Sequence, residues 1–442
     1  MIRPLPSKRS ARTGPRVCAL ACVIPFATAS AAWDTVSDVR MGVEANDNPR
    51  LGQRSGELQP QLVEEQDHTA VRALMDARVR LTNEGPRGNF LVQPRVRADT
   101  YSDSADKDLQ RQDAYLYLSG RHRWERGDVG TVVNAARESI LSSEIIDTGL
   151  ENVGDVTLPP SIGTDTGTLV LLDEHRNRTI VAPYVNFNLS ERSSIGIDAT
   201  YLDLTYTGPQ FVGRSNISET EFGTSITRTI DERTGAGARI YVSDFTGKVT
   251  NNDTHTVGIQ GRFSRKLNEI WSFEFAAGVE RSSFTFVSVS GDGVASTPVT
   301  GTVVDNAAAN YTLDLGITKR TDLATMTFAL LRAMDPSATG FMTERNELQV
   351  AYSRRLSERI TASFALRAVQ TDALDDSERV SGRDISRAGI ELDWAFTPTW
   401  SLAVSYEGIS QNFEDRLRSD GTANLLSFGV NYRGLARPTA AR

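Results

Sequence analysis

Pairs of arginines recur at every second position in the first third of the chain. The set comprises Arg78, Arg80, Arg95, Arg97, Arg121 and Arg123. Successive residues of a β-strand point to opposite faces, same-face residues lie about 6.6 Å apart, and adjacent strands lie about 4.8 Å apart. Guanidinium groups bind carboxylates and phosphates through paired hydrogen bonds. The spacing therefore predicts one arginine ladder for anionic solutes, with Arg40 of a preceding strand close to it.

A long acidic segment is a candidate partner of this ladder. Residues 138–178 carry, among other acids, Glu144, Asp147, Glu151 and Asp155. If the segment folds inward, these carboxylates would face the arginines and form a constriction with a transverse electric field. The alternative is a surface loop, with the arginines solvated or paired with Asp76, Asp99 and Glu125.

The elements that would position these residues show a period of two. In residues 397–410, TPTWSLAVSYEGIS, Trp400, Leu402, Val404 and Tyr406 alternate with small or polar residues. Similar runs continue from Val39 to Tyr432 and number about eighteen, within a range of about 16–18. Each run predicts a strand with one apolar face and one wet face.

The connections between the runs alternate in length. Turns of about three to seven residues separate longer polar segments, as expected for a transmembrane barrel. The longer segments are 46–68, 103–113, 138–178, 207–217, 287–305 and 371–384. Lipid offers no hydrogen-bond partner to a backbone, so a sheet crosses a membrane only when it closes. The sequence predicts an all-β, antiparallel up-and-down barrel with short periplasmic turns and long extracellular loops.

Composition agrees with a water-filled lumen. The mean hydropathy is -0.31, because half of each strand is polar. The net charge of -8 argues against nucleic acid as a partner. Five aromatic residues next to short turns predict a girdle at the periplasmic interface. They are Trp271, Trp394, Phe396, Trp400 and Tyr432. A β-propeller and a multidomain sandwich fit less well, since no motif repeats at a fixed period and no linker divides residues 33–433.

The first 32 residues have the layout of a secretory signal peptide. A positively charged N-terminal region is followed by the apolar stretch Val17–Ala31. Small residues at the end of this stretch form a cleavage site before Trp33. A lipoprotein site at Cys22 is the weaker alternative, because Ala19 stands where leucine is usual. We expect residues 1–32 to be removed, 33–433 to form the barrel, and 434–442 to form a short periplasmic tail. Both cysteines, Cys18 and Cys22, lie in the signal, so the barrel would hold none.

The last run, SFGVNYRGL, resembles the terminal strand that sorts outer-membrane barrels, although the chain continues beyond it. The stretches VEANDNPRL at 43–51 and ARESILSSEIIDTG at 136–149 are similar to uncharacterised Gram-negative outer-membrane barrels linked with exopolysaccharide or exosortase-type gene clusters. The resemblance implies a location in the outer membrane, in contact with lipid and lipopolysaccharide, and insertion by the barrel assembly machinery. It also favours carbohydrate as the cargo.

We therefore expect a passive, porin-like channel for anionic or carbohydrate solutes, with exopolysaccharide export as one form of it. One alternative is a structural or adhesive barrel that acts through its extracellular loops. A second is a hydrolase in the barrel wall, but the four histidines lie in no recognisable catalytic motif. We predict no enzymatic activity, no metal site and no cofactor.

Overall fold

The computed structural model describes most of the chain beyond residue 32. The described residues are 33–49, 51, 69–103, 106, 109–139, 175–207, 215–248, 252–289, 301–337, 340–373, 382–413, 420–434 and 437–439. The predicted signal peptide lies outside them. Within these residues no helix has the length and apolar character needed to cross a bilayer.

Eighteen antiparallel strands form one closed sheet. In chain order they are β1 Trp33–Asn46, β2 Ala70–Gly85, β3 Gly88–Tyr101, β4 Gln112–Trp124, β5 Gly127–Ser139, β6 His175–Asn188, β7 Ser193–Thr207, β8 Ile217–Asp231, β9 Thr234–Gly247, β10 Asn252–Lys266, β11 Trp271–Val289, β12 Gly301–Arg320, β13 Ala324–Pro336, β14 Met342–Arg355, β15 Ile360–Ala373, β16 Arg383–Ala395, β17 Trp400–Phe413 and β18 Gly421–Arg433. Each strand pairs with the next along the chain. The predicted barrel and its strand number are confirmed.

The barrel closes between its first and last strands. β1 pairs with β18 from Asp38 opposite Arg433 to Asn46 opposite Leu425. A short strand, β19 (Arg437–Thr439), continues this seam beside residues 33–35 of β1. Part of the predicted tail is thus paired with the barrel wall. Closure gives both edge strands a backbone partner, which a lipid environment requires.

Alternation decides which face of each strand meets lipid. On the outer face, Ile226, Val279 and Phe428 keep 52%, 61% and 53% of their surface exposed. Such exposure would be costly in water but suits a bilayer. The other face of the strands points into the barrel, where charged residues such as Glu44 and Asp99 are buried. The two-residue period therefore separates lipid from lumen.

Aromatic side chains gather at the end of the barrel that carries the short turns, called here the short-turn end. Trp400 and Tyr432 have ring centroids 4.9 Å apart, and Trp394 and Phe396 lie 6.1 Å apart. Trp271 lies under the ammonium of Lys319 at 5.1 Å. Further contacts join Trp33 to Phe90 and Trp124 to Phe187, both at 5.9 Å. These pairs form the band predicted from the sequence.

Strands β11, β12 and β6 extend further than the sequence suggested. The segment 287–305 was expected to be a loop, but β11 reaches Val289 and β12 starts at Gly301. These strands stay paired to their ends, with Val289 opposite Gly301. Likewise, residues 138–178 were expected to form one long connection, but β6 already starts at His175. Apolar alternation is weak in these extensions, which is why they resembled loops.

The tip of the hairpin formed by β13 and β14 bends into the lumen, while β14 stays paired with β15 from Thr343 onward. β13 pairs with β12 only from Thr325 to Arg332, whereas it pairs with β14 as far as Pro336. Beyond Arg332, its side chains meet residues on the inner face of distant strands. The Nδ2 of Asn252 donates to the carbonyl of Gly340 at 2.9 Å, and the hydroxyl of Ser282 contacts the sulfur of Met334 at 3.7 Å. We call residues 333–337 and 340–342 the inward tip.

An apolar cluster inside the barrel holds this tip. It comprises Ile180, Leu202, Leu204, Ile217 and Phe245 from β6 to β9, with Met342 and Met334 from the hairpin. Leu204 and Ile217 are completely buried. These wall residues occupy the lumen-facing parity, where a water-filled pore would expose them. Packing against the tip removes their apolar surface from water, which stabilises the inward position.

A second apolar cluster narrows the same end of the barrel from the opposite wall. Leu51, which follows β1 with a φ of 52°, packs on lumen-facing residues of β15 to β18. These are Val369, Ile385, Ile409, Ala423 and Leu425. The end of the barrel with the long loops, called here the long-loop end, is thus partly filled from two sides. The remaining lumen lies between them.

Candidate functional site in the lumen

All six arginines of the predicted ladder have the parity of the lumen face. Met75 on β2, Val96 on β3 and Leu116 on β4 are exposed on the outer face. Arg78, Arg80, Arg95, Arg97, Arg121 and Arg123 occupy the opposite parity on these strands. The alternation places them on the inner wall, but strand register determines which of them meet.

Asp76 lies at the centre of the main arginine group. Its carboxylate accepts hydrogen bonds from Nε of Arg95 at 2.8 Å and from Nε of Arg97 at 3.3 Å. Arg78 lies directly opposite Arg95 and binds Asp38 at 3.1 Å. Two guanidinium groups thus share one carboxylate, while Arg95 also lies over the ring of Tyr115 at 5.8 Å. We call these residues the Asp76 cluster.

Arg40 extends the Asp76 cluster across the closing seam. It lies opposite Asp76 in the β1–β2 register, and its Nη1 binds Glu391 of β16 at 3.0 Å. The side chain crosses Gly429 of β18, whose missing Cβ would lie 3.4 Å from the Arg40 Nε. A cavity of about 320 Å³ opens against this wall. Its charged lining includes Asp38, Arg40, Asp76, Arg78, Arg95 and Glu391.

The remaining ladder residues lie nearer the short-turn end. Arg121 is opposite Asn89, six positions before Arg95 on β3, which corresponds to roughly 20 Å along a strand. Arg121 binds Asp128 at 3.0 Å, and Arg123 is exposed. Arg80 donates to Gln93 at 3.3 Å, between the two groups. The stagger of neighbouring strands therefore divides the predicted single ladder into two groups.

The carboxylates suggested as alternative partners behave differently from one another. Asp76 is the shared acceptor just described. Asp99 instead binds Arg72 at 2.7 Å and Arg111 at 2.6 Å. Glu125 is exposed in the turn between β4 and β5. Within the described residues, the wall itself thus supplies acids for arginines of its inner face.

The predicted constriction candidates, Glu144, Asp147, Glu151 and Asp155, lie outside the described residues. The two ends of their segment are described and meet each other. Glu138 of β5 binds Arg176 of β6 at 2.8 Å, and both side chains are buried. An inward position of the acidic segment stays a prediction.

The inward tip adds a charged group that the sequence did not predict. Arg345 binds Asp335 at 3.2 Å and also contacts Glu347, which accepts from Arg367 of β15 at 2.7 Å. These residues have the lumen-facing parity of the hairpin. The only signal in the sequence was Met334 and Met342 beside an expected extracellular turn. Methionines there would also fit a lipid-facing strand end.

One row of side chains on the outer face contains the three residue types of a hydrolase triad, as the hydrolase alternative would require. Asp244, His255 and Ser283 lie opposite one another on β9, β10 and β11. The Nδ1 of His255 is 2.7 Å from the Asp244 carboxylate, but the Ser283 hydroxyl donates to the His255 backbone carbonyl at 3.3 Å. His255 thus does not hold Ser283 as a nucleophile. Within the described residues no group of three or more side chains could hold a metal.

No protein-family model matches the chain, and no curated protein matches it. Among solved structures, it is similar to the ferric-catecholate import receptor Fiu of E. coli K12, with 8% identity, a TM-score of 0.43, and coverage of 92% of this chain and 82% of the receptor. It is also similar to the outer-membrane channel DcaP of Acinetobacter baumannii, with 13% identity, a TM-score of 0.40, and coverage of 92% of this chain and 99% of DcaP. A third similar structure is Pseudomonas aeruginosa OpdQ, with 12% identity, a TM-score of 0.41, and coverage of 91% of this chain and 99% of OpdQ. At these values the likeness carries no functional argument.

Proposed function

We propose that the protein is a passive, porin-like channel of the outer membrane for anionic or carbohydrate solutes. The observation that carries this proposal is the Asp76 cluster, where one carboxylate is shared by Arg95 and Arg97 beside a lumen cavity. Each guanidinium has five N–H donors. A solute carboxylate or sugar hydroxyl has the chemistry to accept them.

We propose that transport is passive. Acidic polysaccharide fits the arginine-lined sector because its carboxylates repeat along a chain. Exopolysaccharide export is the finer form of this proposal. We further propose export by the predicted signal peptide and insertion through the terminal strand by the barrel assembly machinery.

Single-channel recording of the refolded barrel tests the proposal. We expect conductance with anion preference under a salt gradient, and block by oligomers of glucuronic acid but not by neutral oligosaccharides. The double variant Arg95→Ala, Arg97→Ala should lose most of the anion preference. Arg233→Ala is the matched control, because this arginine lies exposed in the turn between β8 and β9.

A scaffold or adhesive barrel makes the opposite prediction. It would give no solute-dependent current, whatever the state of the arginines. A folded barrel that conducts no ions would therefore overturn the channel proposal and favour action through the long loops.

A further inference from the structure

A second cavity lies between the β13–β14 hairpin and the inner face of strands β8 to β12. It has a volume of about 670 Å³, within the range of small-molecule sites. Strands β8 to β12 line one side with both acids and arginines, and Leu331, Arg332, Met334 and Met342 of the hairpin line the other. It is separate from the cavity at the Asp76 cluster, which β1, β2, β3, β16, β17 and β18 help to line.

Glu280 places an unpartnered carboxylate oxygen against this cavity. Its Oε2 accepts from the Tyr241 hydroxyl at 2.7 Å, whereas its Oε1 has no hydrogen-bond partner. The residue is only 6% exposed. The hydroxyl of Thr312, which is 8% exposed and lines the same cavity, also lacks a partner. Leaving a buried carboxylate oxygen unsatisfied is costly, so a hydrogen-bond donor beside Glu280 would be stabilised.

Glu219 adds a second acid to the same end of the cavity. It is within electrostatic reach of Glu221, Glu280 and Asp335. Two of these neighbours have arginine partners, since Arg239 binds Glu221 at 2.6 Å and Arg345 binds Asp335 at 3.2 Å. Among the described residues, Glu219 shares a hydrogen bond with Ser243 and Glu280 accepts one from Tyr241, and neither carboxylate forms an ion pair with lysine or arginine. Buried carboxylates in such a group repel one another unless one of them takes up a proton or a cation lies between them.

We propose that this cavity binds a small organic ammonium compound, with Glu219 and Glu280 as the carboxylates that receive its N–H groups. An ammonium group donates up to three hydrogen bonds and accepts none, which matches the unpartnered Glu280 oxygen. Met334 and Met342 supply an apolar side for the carbon chain of the ligand. The same ligand would contact both the wall and the inward tip, and would hold the tip in place.

A matched pair of probes tests the charge requirement. We expect 1,5-diaminopentane to bind the refolded, detergent-solubilised barrel in calorimetric titration, and 1,5-pentanediol, of equal length without charge, not to bind. Equal binding of both probes, or binding of neither, would overturn the proposal. The titration needs no ion flow, so its outcome is independent of the channel proposal.

Single substitutions test the two carboxylates. Glu280→Gln and Glu219→Gln should each weaken diamine binding at least about tenfold, which corresponds to about 1.4 kcal/mol. Glu269→Gln, in the exposed turn between β10 and β11, should bind as the native chain does. Heat-modifiable migration in gels shows whether each variant is folded. Unchanged affinity in both folded glutamine variants would contradict the assignment.

Discussion

The Nδ2 of Asn252, at the first position of β10, donates to the carbonyl oxygen of Gly340 at 2.9 Å, although 88 positions separate them along the chain. Gly340 has a φ of 84°, which favours glycine. The bond fixes the tip of the β13–β14 hairpin to the inner wall. It joins the polar side of the tip, while the apolar cluster around Phe245 holds its methionines.

Chemical labelling can measure the position of the tip. A chain that starts at residue 33 has no cysteine, so a single Met342→Cys provides a unique thiol. Met342 is buried, and a water-soluble maleimide should label this thiol slowly. Adding Asn252→Ala should increase the labelling rate, because the tip loses its hydrogen bond to the wall. A cysteine at the exposed Glu269 provides the reference rate, and fast labelling at residue 342 without the second substitution would contradict the inward position.

Phe245→Ala should destabilise the barrel by about 3–5 kcal/mol, because the phenyl ring is almost completely buried in the apolar cluster under the tip. Phe222→Ala is the control, since Phe222 is 58% exposed on the outer face, where detergent fills the vacated space. Denaturant unfolding in detergent measures both free energies. Similar losses for the two variants would show that the cluster does not support the fold.

The ion pair between Arg176 and Glu138 should be sensitive to removal of one partner. Glu138→Gln removes the negative charge that balances the buried Arg176 guanidinium. The substitution should therefore cost about 3–5 kcal/mol of unfolding free energy. The control is Asp203→Asn, which removes the more exposed pair between Lys248 and Asp203 at 3.3 Å and should cost less than about 1 kcal/mol. The double variant Glu138→Gln, Arg176→Met should recover part of the loss. No recovery would mean that the two charges act independently.

Gly258→Ala should disturb the Tyr241–Glu280 hydrogen bond. The Tyr241 ring crosses Gly258, and a Cβ at this position would collide with it. The ring must then move away from Glu280, so we expect a loss of about 1–3 kcal/mol in stability and weaker diamine binding. Gly261→Ala, on the same strand, has its nearest neighbour at 3.8 Å and should be tolerated. Equal effects of the two substitutions would contradict this role of Gly258.

The sequence was sufficient for the fold because lipid and lumen each select one face of every strand. Val279 and Glu280 are neighbours in sequence, yet one is 61% exposed on the outer face and the other is buried inside. This contrast is local and can be recognised without any knowledge of distant contacts. Strand order followed from the alternation of short and long connections.

The site was less predictable because it depends on register and on contacts between distant strands. The lumen parity of Arg95 and Arg121 follows from local alternation, but their separation depends on the stagger of β3 and β4. Arg40 reaches Glu391 only because the barrel closes and Gly429 lacks a side chain. The inward tip was missed because Met334 and Met342 have the same pattern whether they face lipid or another strand.

The seam between β1 and β18 has a consequence for biogenesis. Arg433 binds Asp38 across 395 positions of the chain, so the joining contacts form only after the whole polypeptide has emerged. A translation product that stops before β18 would expose two open strand edges and would recruit other chains as replacement partners. Premature termination just before β18 would then produce aggregates in place of a slightly shortened barrel.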